Sequence, residues 1–420
     1  MKVLVIGSGG REHAIVDALT RSPQVEKIFC APGNAGIARQ AECVAIRETD
    51  TEGLCDFAVT HGIGLTVVGP EAALAAGVVD VFRAAGLRIF GPTKAAARIE
   101  SSKEFAKELM AKYDIPTAGF RAFTDYAAAR DYVAGRPFPA VLKYDGLAAG
   151  KGVVIAATME EADAALRDML LDDKFGEGKV VVEDYLEGPE FSFMCFVSGR
   201  RVWPMVLAQD HKRAYDGDEG PNTGGMGAYS PLPFVTADDE KFALDRIMQP
   251  VADAMAAEGC PFEGVLYGGL MKTAQGIRVI EFNARFGDPE TEVVLPRLKS
   301  DIVDIFCAVA EGRDARPEWH DFATLGIVLA SKGYPGAYEK GHEIKGLDAV
   351  GGSVYHMGTR SDGERVLTDG GRVLFVVGRG ATLAEAREKA LADVERIACD
   401  NLFHRTDIGH WALEEITVHR

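Results

Sequence analysis

The chain has 420 residues, 47% of them hydrophobic and 26% charged, with a formal net charge of −17. That length exceeds what one core can fill and implies two to four domains of a soluble globular protein. The acidic balance argues against a nucleic-acid partner, so any anionic substrate has to be met by local cations. No apolar run reaches the length of a bilayer span, which excludes a membrane protein of the helical kind. The opening MKVLVIGSGGREH is patterned as a strand and glycine turn, not as a signal peptide. Seven cysteines, scattered and without a C-x-x-C pair, fit reduced thiols in a cytoplasmic protein better than a disulfide framework or a zinc site.

Residues 2–7 (KVLVIG) read as a buried strand, and Gly7-Ser8-Gly9-Gly10 opens a helix running to about Thr20. Strands at 25–30, 43–46 and 64–69 then alternate with helices over 50–61 and 75–85, the pattern of a doubly wound parallel sheet. The glycine turn invites a dinucleotide-binding reading. Two parts of that fingerprint are missing: the third position of G-x-G-x-x-G is Glu12, and no acidic residue ends the second strand, which runs into Ala31-Pro32-Gly33-Asn34. What survives is an anion site of backbone amides at a helix N-terminus, with Glu71 of Gly69-Pro70-Glu71 at the same sheet edge. Ordinary strand-to-helix turns are the plain alternative.

From Gly91-Pro92 the character changes. A helical stretch over 94–112 carries Ser101-Ser102-Lys103, and Ile115-Pro116 marks a break. A helix over 124–134 precedes a strand from Phe138 to Lys143. Next comes the loop Asp145-Gly146-Leu147-Ala148-Ala149-Gly150-Lys151-Gly152, then the strand Val153 to Ile155. The loop fails as a Walker A motif, because Lys151 is followed by Gly152 and not by Ser or Thr. Its small residues let backbone amides approach phosphate, and Lys143 and Lys151 favour phosphate cover over an idle hairpin tip. Its composition also predicts that it orders only when nucleotide binds.

A helix over 158–170 leads to a strand at 180–184, the turn Leu186-Glu187-Gly188-Pro189-Glu190, and a strand from Phe191 to Val197. A Gly-Pro stop between two strands suits a hinge against which an adenine could lie; a turn with solvated acids is the alternative. Asp210-His211-Lys212-Arg213 then opens a long Gly/Asp/Asn/Pro-rich loop ending near Ser230. Loops of that length are more often functional than idle. Asp210 could take an ammonium group, with Lys212 or Arg213 neutralising phosphate. A helix over about 236–258 feeds a hairpin spanning 262–284.

The end of that hairpin, Val279-Ile280-Glu281-Phe282-Asn283-Ala284-Arg285-Phe286-Gly287-Asp288-Pro289-Glu290, carries the chain's most pointed chemistry. Glu281 and Asn283 are two apart, so period-two geometry points both oxygen ligands out of one face, and Arg285 repeats the spacing. A carboxylate and an amide oxygen suit Mg²⁺ or Mn²⁺, whose shell is completed by waters and substrate phosphates.

In the form EFNARFGDPE this stretch resembles the metal-binding strand of ATP-grasp ligases, and specifically the glycinamide ribonucleotide synthetases of purine biosynthesis. The segment DHKRAYDGDEGPNTGGMGAYSP resembles the same family, as do HMGT at 356–359 and the VVGRGATL run near 376–383. The resemblance covers essentially the whole chain. It implies an N-terminal doubly wound parallel-sheet domain (1–100), a two-lobed ATP-grasp domain (101–325, small mobile lobe about 117–190) and a small α/β C-terminal domain (326–420). It implies that ATP joins glycine to 5-phosphoribosylamine through glycyl phosphate, giving ADP and phosphate.

The same resemblance implies roles. Lys103, Lys143, Gly150, Lys151 and Gly152 would hold the nucleotide's phosphates, Glu183, Tyr185 and Leu186 would flank the adenine, and Glu190 would take the ribose. Gly10 and Glu71 would hold the phosphoribosylamine, with Asp210, Lys212, Arg213 and Arg285 also at the substrates. Glu281 and Asn283 would bind the metal, and Lys143 and Arg285 would neutralise the transition state. The helix over 382–397, with Thr382 as its cap, belongs to a third unit that shows no catalytic cluster of its own and is expected to pack and close the cleft. A monomer acting on three small molecules is expected. Two rivals share part of these features: another ATP-grasp ligase or carboxylase, and a nicotinamide oxidoreductase.

Overall fold

The computed structural model describes residues 1–146, 152–172 and 178–413. Gly150 and Lys151, and with them the ordering expected of their loop, lie outside the described residues.

The apolar runs at Lys2–Gly7 and Leu65–Val68 are buried almost throughout, as strands covered on both faces must be. They sit at the centre of a five-stranded parallel sheet ordered Glu42–Cys43, Lys27–Pro32, Lys2–Gly7, Leu65–Val68, Ile89–Phe90. The strand expected over 43–46 is only Glu42–Cys43. The helix expected over 75–85 is two, Glu71–Ala76 and Val78–Ala84, because Gly77 turns the chain at φ 90°. Glu71 therefore sits in a helix's first turn at the sheet's edge. The stretch over 94–112 also divides. Ser102 is extended and its side chain accepts from the Phe105 amide, capping a second helix at Lys103–Lys112.

Two antiparallel sheets follow. One is ordered Phe120–Phe123, Val180–Asp184, Ala140–Tyr144, Val153–Ala156, and with the helices Tyr126–Ala134 and Met159–Leu170 it encloses a hydrophobic cluster of its own around Leu142, Leu166 and Val182. The other is ordered Arg201–Pro204, Glu190–Ser198, Glu263–Thr273, Gly276–Asn283. The helix expected over 236–258 passes through a π turn at Leu244–Met248 just before Pro250, which has no N–H to continue an α ladder.

The last strand contains the irregularity on which the site depends. Gly269 pairs with Glu281 but Leu270 pairs with Val279, so Ile280 is an extra residue, a β-bulge. Strict alternation would put Glu281 and Asn283 on the same face as Ile277 and Val279, which are buried in the core. The bulge shifts the parity by one, leaving Phe282 buried and turning Glu281 and Asn283 the other way.

The segment from 208 to 230, expected as one loop, carries four short strands. Two of them, Gln209–Asp210 and Gly227–Ser230, extend an antiparallel sheet formed with Ala323–Ser331, Arg372–Gly380 and Ser353–His356. Thr382 caps the helix Leu383–Val394 by accepting from the Glu385 amide. Among the described residues no helix is long and apolar enough to cross a membrane. All seven cysteines are free thiols.

Candidate active site

A cleft of about 550 Å³ is lined by residues of both central sheets. Of the residues expected around a nucleotide, Lys103, Lys143, Gly152, Glu183, Tyr185, Leu186 and Glu190 line it. Glu71, Asp210, Lys212 and Arg285, expected at the substrates, line it as well, together with Glu281 and Asn283.

Arg213 and Gly10 stand apart. Lys212 and Arg213 are neighbours in extended chain and so face opposite ways; Lys212 reaches Glu190 at 2.7 Å, whereas Arg213 donates to the Gly220 carbonyl at 2.7 Å on the exposed side. Gly10 packs against Glu292 and Met357, leaving no room for a side chain. Glu12 packs into the glycine turn beside it, while Ser8 and Gly9 of that turn line a second cavity. A Cβ at Gly7 would lie 2.6 Å from the Glu12 side chain and one at Gly69 only 1.9 Å from it. Glu12 also accepts from the Gly9 amide at 2.6 Å and pairs with Arg11 at 2.6 Å. The anion at this helix N-terminus is the chain's own Glu12, at the position where the dinucleotide fingerprint has glycine.

The lysines are organised around one carboxylate. Glu183 forms ion pairs with Lys143 at 2.9 Å and with Lys107 at 2.7 Å, and all three are almost fully buried. Lys107 also donates to Thr117 Oγ1 at 2.7 Å, and Thr117 in turn donates to the Val279 carbonyl at 2.8 Å. Lys143 donates to the carbonyl of Ile280 at 2.8 Å. The two carbonyls at the bulge are thus fixed by side chains from outside their own sheet. Glu183, which was expected beside the adenine, is held by both lysines while it lines the cleft. Burial pushes the Lys107 ammonium down to about 8, and the nearby Lys143 charge adds to that against the pull of Glu183. Lys103, capped into place by Ser102, donates to the Gly146 carbonyl at 3.3 Å, at the start of the glycine-rich loop.

Glu281 sits where four cations converge. Burial works against its ionisation, but Lys143, Lys212, Lys103 and Arg285 outweigh it and hold its carboxyl below the ordinary range. The bulge puts Asn283 on the same side, its Oδ1 at 3.5 Å from Arg285. An ionised carboxylate and an amide oxygen fit a hard divalent cation. Among the described residues no cluster of three His, Cys, Asp or Glu side chains forms a complete cage, so such an ion would depend on waters and phosphates for the rest of its shell.

Arg285 is already engaged, by Glu100 at 3.0 Å and Glu71 at 3.4 Å. Glu71 therefore ties the first sheet's edge to the segment just after the strand Gly276–Asn283. Asp210 has no cationic partner within 4 Å among the described residues; burial, with Glu290 and Glu190 nearby, raises its carboxyl to about 7 against the opposing charge of Lys212. Glu290, buried on the cleft wall, accepts from Ser192 Oγ at 2.8 Å and from Tyr267 OH at 2.7 Å through the same oxygen.

A second cavity of about 350 Å³ adjoins the first, and Asp288 and Arg372 line both. Its walls come from the first sheet (Ser8, Gly9, Asn34) and from the C-terminal sheet region (Met357, Gly358, Thr359). The C-terminal unit thus contributes a cation, Arg372, to the site, more than packing alone. Lys107, Arg11, Glu100 and Arg372 escaped the sequence reading. Lys107 had one legible signal, its position one helical turn after Lys103; the others are brought in by packing between units.

Two antiparallel sheets meeting at a cleft lined by buried Lys143 and the carboxylate of Glu281 are the arrangement of a nucleotide-dependent ligase of the ATP-grasp class. The chain belongs to the phosphoribosylglycinamide synthetase family: the family's N domain matches residues 1–100, its ATP-grasp (A) domain 101–291 and its C domain 324–411. The phosphoribosylamine–glycine ligase of Halalkalibacterium halodurans is 53% identical over 422 residues, covering 100% of this chain and 99% of that protein. That of Escherichia coli strain K12 is 51% identical over 425 residues, with 99% of both covered. The crystal structure of the Thermotoga maritima phosphoribosylamine–glycine ligase superposes with a TM-score of 0.87 at 33% identity, covering 97% of this chain and 100% of that one.

Proposed function

We propose that this cleft carries out the phosphoribosylamine–glycine ligase reaction of purine biosynthesis, joining glycine to 5-phosphoribosylamine as ATP goes to ADP and phosphate. The observation that carries it is the convergence of Lys103, Lys143, Lys212 and Arg285 on Glu281, in a chain that matches ligases of that name over its full length. Carboxylate and triphosphate repel, so their reaction needs concentrated positive charge in a site screened from water.

The residues take these roles. Lys103 and Lys143 hold the nucleotide's phosphates, a role shared by Gly150, Lys151 and Gly152. Tyr185 and Leu186 lie against the adenine, and Glu190 takes the ribose while keeping Lys212 in place. Glu281 and Asn283 hold Mg²⁺ or Mn²⁺, which supplies neutralising charge to the phosphates. Glycine's carboxylate exchanges for Glu71 at Arg285, since Glu71 is the more exposed of its two partners, 34% against 9% for Glu100. Asp210 faces the glycine ammonium. The carboxylate attacks the γ-phosphorus, ADP leaves, and the sugar amine displaces phosphate from the resulting acyl phosphate. Phosphoribosylamine enters the second cavity, whose wall includes Ser8 and Gly9 of the glycine turn. The chain is divided at about 100 and 325, with a small mobile lobe over about 117–190, and acts as a cytoplasmic monomer.

Glycine labelled with ¹⁸O in its carboxylate tests the route. One labelled oxygen is expected in the inorganic phosphate, because that oxygen made the attack. Unlabelled phosphate would exclude the acyl phosphate.

A further inference from the structure

The ligation consumes one amine and must discharge its proton, and none of the residues assigned above takes it. Asp288 stands where the two cavities meet. Its Oδ1 lies 3.0 Å from Arg372 Nη2, and the Arg372 Nη1 donates to the Asp288 backbone carbonyl at 3.0 Å, so the residue is clamped from the C-terminal sheet. Its Oδ2 is directed the other way, 3.3 Å from where a Cβ on Gly9 would sit, and Gly9 lines the second cavity. Arg372 is its one ionic partner within 4 Å among the described residues. That leaves Oδ2 facing the space assigned to the sugar.

Behind Asp288 lies Glu292, fully buried, with neither carboxyl oxygen hydrogen-bonded to any described residue. Burial, and then the neighbouring Asp288 charge, push the Glu292 carboxyl well above the ordinary carboxylate range.

Resting on the reading of the two cavities given above, we propose that Asp288 is the catalytic base that takes the proton from the phosphoribosylamine nitrogen as it attacks the acyl phosphate. The nitrogen lone pair forms the new N–C bond. The bond from the acyl carbon to the phosphate oxygen breaks, and its electron pair leaves with inorganic phosphate. The N–H proton passes to Asp288 Oδ2, which returns it to water once the products leave. Arg372 holds the carboxylate in place and stays charged throughout.

Two assays on the full chain separate this step from the first. With ATP, glycine and hydroxylamine, which is largely uncharged at neutral pH, hydroxamate formation reports acyl phosphate made in the first step. With 5-phosphoribosylamine in place of hydroxylamine, product reports both steps. Asp288→Asn is expected to keep hydroxamate formation within about threefold of wild type while the sugar-dependent reaction falls at least ~100-fold. An equal fall in both, or no fall in the sugar reaction, would overturn the assignment. Should Asp288→Asn not fold, Asp288→Glu decides: displacing the carboxylate by one methylene should cost the sugar reaction at least ~10-fold and spare hydroxamate formation. An unaffected sugar reaction in that variant would equally overturn it. Absence of hydroxamate in the wild-type protein would instead refute the acyl phosphate itself.

Discussion

Lys143 Nζ lies 2.8 Å from the carbonyl oxygen of Ile280, the extra residue of the bulge that turns Glu281 and Asn283 toward the cleft. A lysine of the strand Ala140–Tyr144 is thereby hydrogen-bonded to the strand Gly276–Asn283 of the other sheet, and Glu183 pairs with that lysine at 2.9 Å.

Removing the shared anion should cost more than removing either cation. Glu183→Gln leaves Lys107 and Lys143 buried without a counter-charge and is expected to destabilise the fold by about 3–5 kcal/mol. Lys107→Met leaves Glu183 paired with Lys143 and should cost clearly less. Lys143→Met should keep the fold and lower turnover at least ~100-fold. Urea unfolding of the three variants beside wild type checks the order; equal losses for Glu183→Gln and Lys107→Met would contradict it. The Lys107 ammonium, lowered to about 8 from 10.5, adds a pH dependence. Between those values the unfolded chain binds a proton that the folded chain does not, so stability should rise with pH across that window. Lys107→Met should lose this slope.

Deleting Ile280 restores strict alternation and directs Glu281 and Asn283 at the core face occupied by Ile277 and Val279. Metal-dependent activity should disappear, with a loss of at least ~3 kcal/mol in stability from burying an unpaired carboxylate. A deletion variant that keeps both activity and its melting temperature would show that the bulge does not aim the ligands.

Glu281→Gln and Asn283→Ala are expected to raise the Mg²⁺ concentration for half-maximal activity at least ~10-fold while leaving the melting temperature near that of wild type. Titration of activity against Mg²⁺ checks this. Full activity of either variant at limiting Mg²⁺ would remove that residue from the metal site.

The first and last units are joined through a histidine pair. The His356 amide donates to His13 Nδ1 at 2.8 Å, and His356 Nδ1 pairs with Thr359 Oγ1 at 2.8 Å. Burial above all holds both rings neutral, His13 down at about 4 and His356 at about 3, against 6.5 for an unhindered imidazole. As pH falls below 6.5 the unfolded chain takes up protons first, so stability should decline between 6.5 and about 4. His13→Gln should flatten that decline by up to about 3 kcal/mol. Chemical unfolding at a series of pH values reads the difference; parallel curves would count against buried neutral rings.

The sequence by itself determined the parallel first sheet, the position of most helices, and that Glu281 and Asn283 share one face of a strand. Each of these rests on local physics: apolar runs, capping residues, and side-chain alternation over a few positions. It also showed that the glycine turn is not a dinucleotide fingerprint, because Glu12 stands in it. Only the tertiary structure decided that Glu12 packs into that turn, since the contact with Gly69 joins positions far apart in the chain. The bulge at Ile280 was invisible for a related reason. Glu281 and Asn283 share a face with or without it, and which face is a matter of register against Glu263–Thr273. Arg372 and Asp288 meet across 84 residues of sequence separation. Local pattern carries no information about such a pair; the packing of the C-terminal sheet against the turn that follows Gly276–Asn283 creates it.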